Sequence, residues 1–165
     1  VLRRQAQLVQ KIDKKILKVI EDLKDTLLSQ KDPKGVGLAA PQIGVSLQIF
    51  VMLSGMKVRT VINPKIISRS KKKNLENSGE DKILEGCLSL PNYYGPLERA
   101  WKVKIRYLNP ETQKIEEETF KEFDSQIVQH EIDHLNGVLF VDKLLEQKKP
   151  LYQHTGEEWE EVELL

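Results

Sequence analysis

Residues 130–134 read His130-Glu131-Ile132-Asp133-His134, and the rest of the chain is understood from this stretch outward. Side chains four apart on an α-helix stand one turn apart on the same face. The two imidazoles can therefore bind one metal ion from one side. Glu131, beside the first histidine, can reach a water on that metal. Two ligands and a general base on one rigid element form the His-Glu-x-x-His arrangement of metal-assisted hydrolysis. The plainer reading is an amphipathic helix with chance polar residues, and the flanking segments decide against it.

Phe123, Ile127, His130 and His134 recur at helical spacing. This predicts a helix from Phe123 to Asn136 with the histidines on its inward face and Gly137 as the residue that ends it. Just upstream, Trp101, Val103, Ile105 and Tyr107 alternate, Asn109-Pro110-Glu111-Thr112 is a hairpin turn, and Lys114 to Phe120 returns as the partner strand. Further upstream, Gln48 to Leu53 and Lys57 to Ser68 are strand patterns, the second broken at Asn63-Pro64. Arg69 to Asp81 reads as a polar loop, and Tyr93-Tyr94-Gly95-Pro96 as a turn. From Lys11 to Ser29, Ile12, Ile16, Val19, Ile20, Leu23 and Leu27 mark an N-terminal amphipathic helix, closed by Lys31-Asp32-Pro33-Lys34-Gly35. Residues 1–10 show no clear pattern. The acidic, alternating stretch from Trp159 to Leu164 suits an edge strand or a partner contact. The fold class expected is α+β.

A chain of 165 residues is read as a single metallohydrolase domain over 1–165, long enough for a core without disulfide staples. The formal net charge of +1 provides no global field for nucleic acid or an anionic membrane. Lys71-Lys72-Lys73 is the one strong basic run, and its polar setting reads as a solvated loop. No apolar run reaches spanning length and no signal peptide is visible, so no membrane role is expected. The single cysteine, Cys87, cannot form an internal disulfide. A lone thiol suits a reducing cytoplasm.

A catalytic metal needs a third protein ligand and an open position. The metzincin pattern would place a histidine six residues after His134, but Phe140 stands there. Cys87 and His154 are the candidates, with carboxylates such as Glu85 behind them. Cys87 lies in a tight segment, Glu85-Gly86-Cys87-Leu88-Ser89-Leu90-Pro91, whereas His154 lies in a polar tail. Thiolate is the stronger donor, which favours Cys87. A third segment, Gly35-Val36-Gly37-Leu38-Ala39-Ala40-Pro41-Gln42, begins like the dinucleotide fingerprint G-x-G-x-x-A. That reading fails because a helix precedes it, Pro41 interrupts the helix that should follow, and no acidic residue stands between Gly37 and Glu76. What remains is a small-residue strip that lets another backbone approach, with the polar Gln42 at its end.

Together these three segments closely resemble the peptide deformylase family, whose motifs stand here as Gly35–Gln42, Glu85-Gly86-Cys87-Leu88-Ser89 and Gln129-His130-Glu131-Ile132-Asp133-His134-Leu135, in the family's order and spacing. The resemblance runs from the first long helix to about Lys143. It implies mixed or antiparallel β-sheets wrapped around a central motif helix, with an N-terminal helix. It implies one divalent metal held by Cys87, His130 and His134, commonly ferrous iron, with zinc, nickel or cobalt able to replace it. It further implies Glu131 as general acid and base, Gln42 and the Leu88 backbone N–H as oxyanion donors, and Val36, Gly37 and Gly86 as backbone partners of an extended substrate. Phe123 and Ile127 are candidates to line the methionine pocket, with Val36 opposite. The activity implied is removal of the formyl group from the formylmethionine of nascent chains at the ribosome, in a bacterial-type cytoplasm or an organelle. Gln126 replaces an arginine common in the family, and the loop 69–81 looks long. Two other functions compete. A metallopeptidase is disfavoured by Phe140 and the cysteine. A binding module without activity is disfavoured by the retention of both Glu131 and Gln42.

Overall fold

A computed structural model describes residues 1–74 and 84–164. Its first helix, α1 (Lys14–Ser29), begins where Asp13 accepts a hydrogen bond from the Ile16 backbone N–H at 3.0 Å. Such a cap satisfies one of the helix's free donors. This start lies three residues later than the periodicity suggests, because Ile12 belongs to the apolar stripe but precedes the cap. The helix buries Ile16, Ile20, Leu23 and Leu27.

Two antiparallel sheets follow. The larger contains β1 (Gly37–Ala39), β2 (Ile49–Ser54), β3 (Lys57–Arg69), β6 (Lys102–Asn109) and β7 (Lys114–Lys121), in the order β1-β2-β3-β6-β7. The smaller contains β4 (Glu85–Cys87), β5 (Leu90–Gly95), β8 (Leu151–Thr155) and β9 (Glu158–Val162), in that order. The helix α2 (Glu122–Leu135) lies against the larger sheet: Ile127, Val128, Ile132 and Leu135 share one core with Phe50, Met52, Val61, Val103, Ile105 and Tyr107. A short helix, α3 (Phe140–Gln147), packs Phe140 and Leu144 against Leu97, Leu151 and Cys87 in a separate core under the smaller sheet. The α+β architecture built around the motif helix is the one expected. No helix among the described residues is long and apolar enough to cross a membrane.

Several local expectations are corrected. Asn63-Pro64 does not break β3: Asn63 takes a positive φ of 50° and the register with β6 shifts between Ile62 and Lys65. A bulge of this kind absorbs the residue that cannot donate to the ladder. The Asn63 side chain holds the N-terminal segment through both backbone groups of Val9, at 2.9 and 2.8 Å. Tyr93-Tyr94-Gly95 is strand, not turn: Tyr93 pairs with Gln153 and Tyr94 with Tyr152. Pro91 is tolerated near the start of β5. Residues 75–81 of the expected polar loop fall outside the described residues. Gly137 follows α2 with φ +73°, where a Cβ would stand 2.8 Å from the Arg3 carbonyl carbon and oxygen. The patternless N-terminus thus runs close against the end of α2, and the Ala6 N–H donates to the Leu135 carbonyl at 2.8 Å.

Candidate active site

The two sheets meet at a cleft of about 210 Å³. One of its walls carries the edge strand β1 and another carries the edge strand β4. Below them runs α2. Helical spacing brings His130 and His134 together, with their Nε2 atoms 3.2 Å apart. Cys87 ends β4, and its Sγ lies 3.2 Å from His134 Nε2. One donor atom from each of Cys87, His130 and His134 falls within 4.8 Å of the other two, and all three residues are buried. The sulfur and the two ring nitrogens thus converge on one point from two elements. This is a donor set for a metal with soft and borderline preferences. His154 is elsewhere, in β8 on the smaller sheet, with its ring 4.5 Å from that of Trp159.

Glu85 supports the site from behind. Residues two apart in a strand point the same way, so Glu85 and Cys87 both face α2. Glu85 Oε1 lies 2.7 Å from His130 Nδ1. A carboxylate at Nδ1 fixes the tautomer and leaves Nε2 as the ligand atom. Arg99 neutralises Glu85 with two hydrogen bonds, Nε to Oε2 at 3.0 Å and Nη2 to Oε1 at 2.6 Å. Its Nη1 donates to Asp133 of the motif at 2.5 Å. Burial alone would raise the Glu85 carboxyl, but the charges of Arg99 and His130 outweigh it and hold the group down to about 2. Burial also pushes Glu131 up to about 7, against the pull of His130, and holds His134 down to about 3. Gln129 fastens the Arg99 segment to the helix: its side-chain amide bonds both backbone groups of Ala100, at 3.2 and 2.9 Å. Arg99 does not stand out in the sequence as part of the site, and Gln129 is seen there only as the first residue of the third motif. The only signal is an arginine set beside apolar Ala100-Trp101.

Glu131 lines the cleft next to the metal donors, and its Oε2 is buried without a hydrogen-bond partner among the described residues. A buried carboxylate oxygen left unpaired is costly and points to a missing partner such as water or substrate. Glu131 packs against Gly37: a Cβ there would stand 2.3 Å from Glu131 Oε1 and 2.9 Å from Ile127 Cγ2. The glycine is therefore required for this carboxylate to sit where it does.

Gln42 lies in a short 3₁₀ turn (Ala40–Ile43) after β1. Its Oε1 accepts from the Ala39 N–H at 2.8 Å, which aims Nε2 toward Cys87 Sγ at 3.6 Å and Ser89 Oγ at 3.0 Å. Leu88 opens the turn between β4 and β5, directly after Cys87. The Val36 carbonyl accepts from the Leu53 N–H at 2.8 Å. Successive strand residues point their backbone groups to opposite sides, so those of Gly37 face the open edge of β1. Val36, Gly37, Gly86 and Ile127 all line the cleft, as does Phe123, which is 43% exposed.

A cysteine and two histidines that could hold a metal ion, beside a buried carboxylate in a cleft between two strand edges, are the groups a metal-dependent hydrolase requires. The model of the family described as polypeptide deformylase matches residues 1–150. Similar proteins include the peptide deformylase of Pseudothermotoga lettingae, 44% identical over 142 residues (86% of this chain, 76% of that protein). Peptide deformylase 2 of Clostridium acetobutylicum is 38% identical over 90% of this chain and 92% of its own. Among solved structures, the Thermotoga maritima peptide deformylase superposes with a TM-score of 0.74 at 37% identity, covering 86% of this chain and 89% of that one. A Synechococcus elongatus peptide deformylase in complex with actinonin gives 0.75 at 34% identity, covering 86% of this chain and 72% of that one. The chain belongs to the polypeptide deformylase family, metal-dependent enzymes that remove the N-terminal formyl group from new polypeptides.

Proposed function

We propose that residues 1–165 act as a single metallohydrolase domain, working on formylmethionyl chains as they emerge from the ribosome in a reducing, bacterial-type cytoplasm. Cys87, His130 and His134 hold one divalent ion, ferrous iron in the cell, with zinc, nickel or cobalt able to replace it. The donor set fits such an ion: two ring nitrogens and a sulfur face one another, and Glu85 already orients one of the rings. When bound, the metal acts as a Lewis acid that brings the pKa of water to near neutral.

The chain's own residues do the rest. Glu131 takes the proton of the attacking water and later returns it to the leaving amine nitrogen. Gln42 Nε2 and the Leu88 N–H donate to the formyl oxygen as it gains negative charge; losing one such donor typically raises the barrier by about 2.7–4 kcal/mol. The open edge at Gly37, facing Gly86, receives the peptide backbone as an added strand, which tolerates varied side chains. Ile127, Phe123 and Val36 line the pocket for methionine. The observation that carries this reading is the unpartnered Glu131 oxygen beside three converging metal donors. The test measures the products of nickel-loaded protein on two substrates, formate from formyl-methionyl peptides and acetate from acetyl-methionyl peptides. Turnover should be confined to the formyl compounds. Equal hydrolysis of both, or cleavage at internal bonds, would refute it. Undiminished metal content in Cys87→Ala would remove Cys87 from the ligand set.

A further inference from the structure

After residue 150, where the family match ends, the chain adds the hairpin β8–β9 to the sheet that carries Cys87. Tyr94 of β5 pairs with Gly86 on one side and Tyr152 on the other, and His154 pairs with Trp159. Ring contacts place Tyr94, His154 and Trp159 on a common face: Trp159 lies edge-on to Tyr94 at 5.4 Å and tilted against His154 at 4.5 Å. Tyr94 also lines the cleft, and its ring lies so close over Gly86 that a Cβ there would be 2.6 Å from it. The aromatic strip is therefore continuous with the substrate cleft and leads away from it. Trp159, at its outer end, is 51% exposed. Glu161, two residues on and so on the same face, is exposed as well.

We infer that this strip is a subsite for the downstream part of the formylated chain and that it favours a cationic side chain there. The inference rests on the deformylase reading above. Three strand-to-strand steps of about 4.8 Å separate β4 from β9, roughly 14 Å; an extended peptide covers that distance in four to five residues. A lysine or arginine arriving there meets the indole of Trp159, which attracts a cation, and the neighbouring Glu161 carboxylate. Short formyl peptides end before the strip and do not use it.

The test uses the full nickel-loaded chain and three peptides: a formyl-Met dipeptide, and two longer formyl-Met peptides with lysines or glutamates at the fourth to sixth positions. The wild type should prefer the lysine peptide over the glutamate peptide by about two- to fivefold in kcat/KM, the range of an exposed cation–π contact, expressed in KM rather than kcat. Trp159→Ala and, independently, the surface change Glu161→Lys should each shrink that preference toward one. Equal kcat/KM for the two long peptides in the wild type, or a preference that survives both substitutions, overturns the subsite while the deformylase reading stands. No formate from any of the three peptides overturns the deformylase reading and the subsite with it.

Discussion

Replacing Arg99 with methionine should damage both the fold and the metal site, through one carboxylate. Arg99 is 6% exposed and Glu85 4%, and the two share hydrogen bonds at 3.0 and 2.6 Å. Methionine retains much of the apolar stem but leaves Glu85 buried and unpaired. Removing one partner of such a pair typically destabilises by about 3–5 kcal/mol. In a chain of this size each kcal/mol moves Tm by about 2–4 °C, so the expected fall is roughly 6–20 °C. Asp133, the other partner, is 20% exposed and can turn to water, so it adds little. The second effect is on the metal. A Glu85 that neutralises itself by taking a proton holds His130 Nδ1 less firmly, and loss of such support typically weakens metal binding about 10–100-fold. Thermal denaturation of the metal-free chain measures the first effect, and competition with a metal-binding dye measures the second. The double variant Glu85→Gln/Arg99→Met removes both charges and should recover much of the lost stability, though not the metal affinity. An Arg99→Met chain that melts within about 2 °C of wild type would refute the argument that this buried pair holds the site together.

Glu131→Gln keeps shape and removes the base, so metal content should stay near normal while kcat falls by at least about a hundredfold; an emptied metal site would make Glu131 a ligand or an anchor instead. Gly37→Ala forces a Cβ to 2.3 Å from Glu131 Oε1. It should lower kcat by about a hundredfold through displacement of the carboxylate, again with metal retained, and unchanged kcat would show that the carboxylate can give way freely. A pH test concerns Glu118, whose carboxyl the Arg59 hydrogen bonds hold below its ordinary 4.5 against partial burial. A depressed carboxylate stabilises fully above its unfolded value and loses that contribution as pH falls through the folded one. The Tm difference between wild type and Glu118→Gln should therefore be largest near neutral pH and shrink as pH falls below the ordinary 4.5; a gap that stays constant would mean the ion pair is not its source.

The elements that sequence reasoning identifies well are those whose pattern comes from one-sided burial. The first helix and the β6–β7 hairpin each recur or alternate at a single period because one face lies on the core, whereas the motif helix, buried on most of its sides, shows itself by the spacing of Phe123, Ile127, His130 and His134. The elements it misses lack that condition or are too short to display it. β5 reads Leu90-Pro91-Asn92-Tyr93-Tyr94-Gly95, whose Pro, Asn and Gly are turn chemistry; it is a strand because β4 and β8 pair with it from both sides. The α3 helix buries Phe140 and Leu144 on one face, but eight residues repeat that spacing only once, too few to tell it from chance. β8 is paired by β5 and β9 from both sides, but only Leu151 of its five residues is buried, so its polar side chains show no one-sided pattern. Pairing between distant segments makes these elements, and no local window of sequence contains it.

The site shows the same division at finer scale. The spacing of His130 and His134 fixes their relation, because a helix is rigid over one turn. Alternation likewise turns Glu85 toward the metal side together with Cys87. Whether Glu85 binds the metal or the ring that binds it depends on the separation between β4 and α2, and a strand residue two positions back reaches the far nitrogen, Nδ1, at 2.7 Å. That separation is set in part by Gln129 and Arg99, which bind the Ala100 segment to the helix and Glu85 to that segment. A carboxylate in this role requires a counter-cation, since an isolated buried charge would neutralise itself. The arginine that supplies it could come from any loop that folds over the site. Ligands on rigid local elements are therefore written in sequence spacing, whereas the groups that orient them are written only in the packing of one element on another.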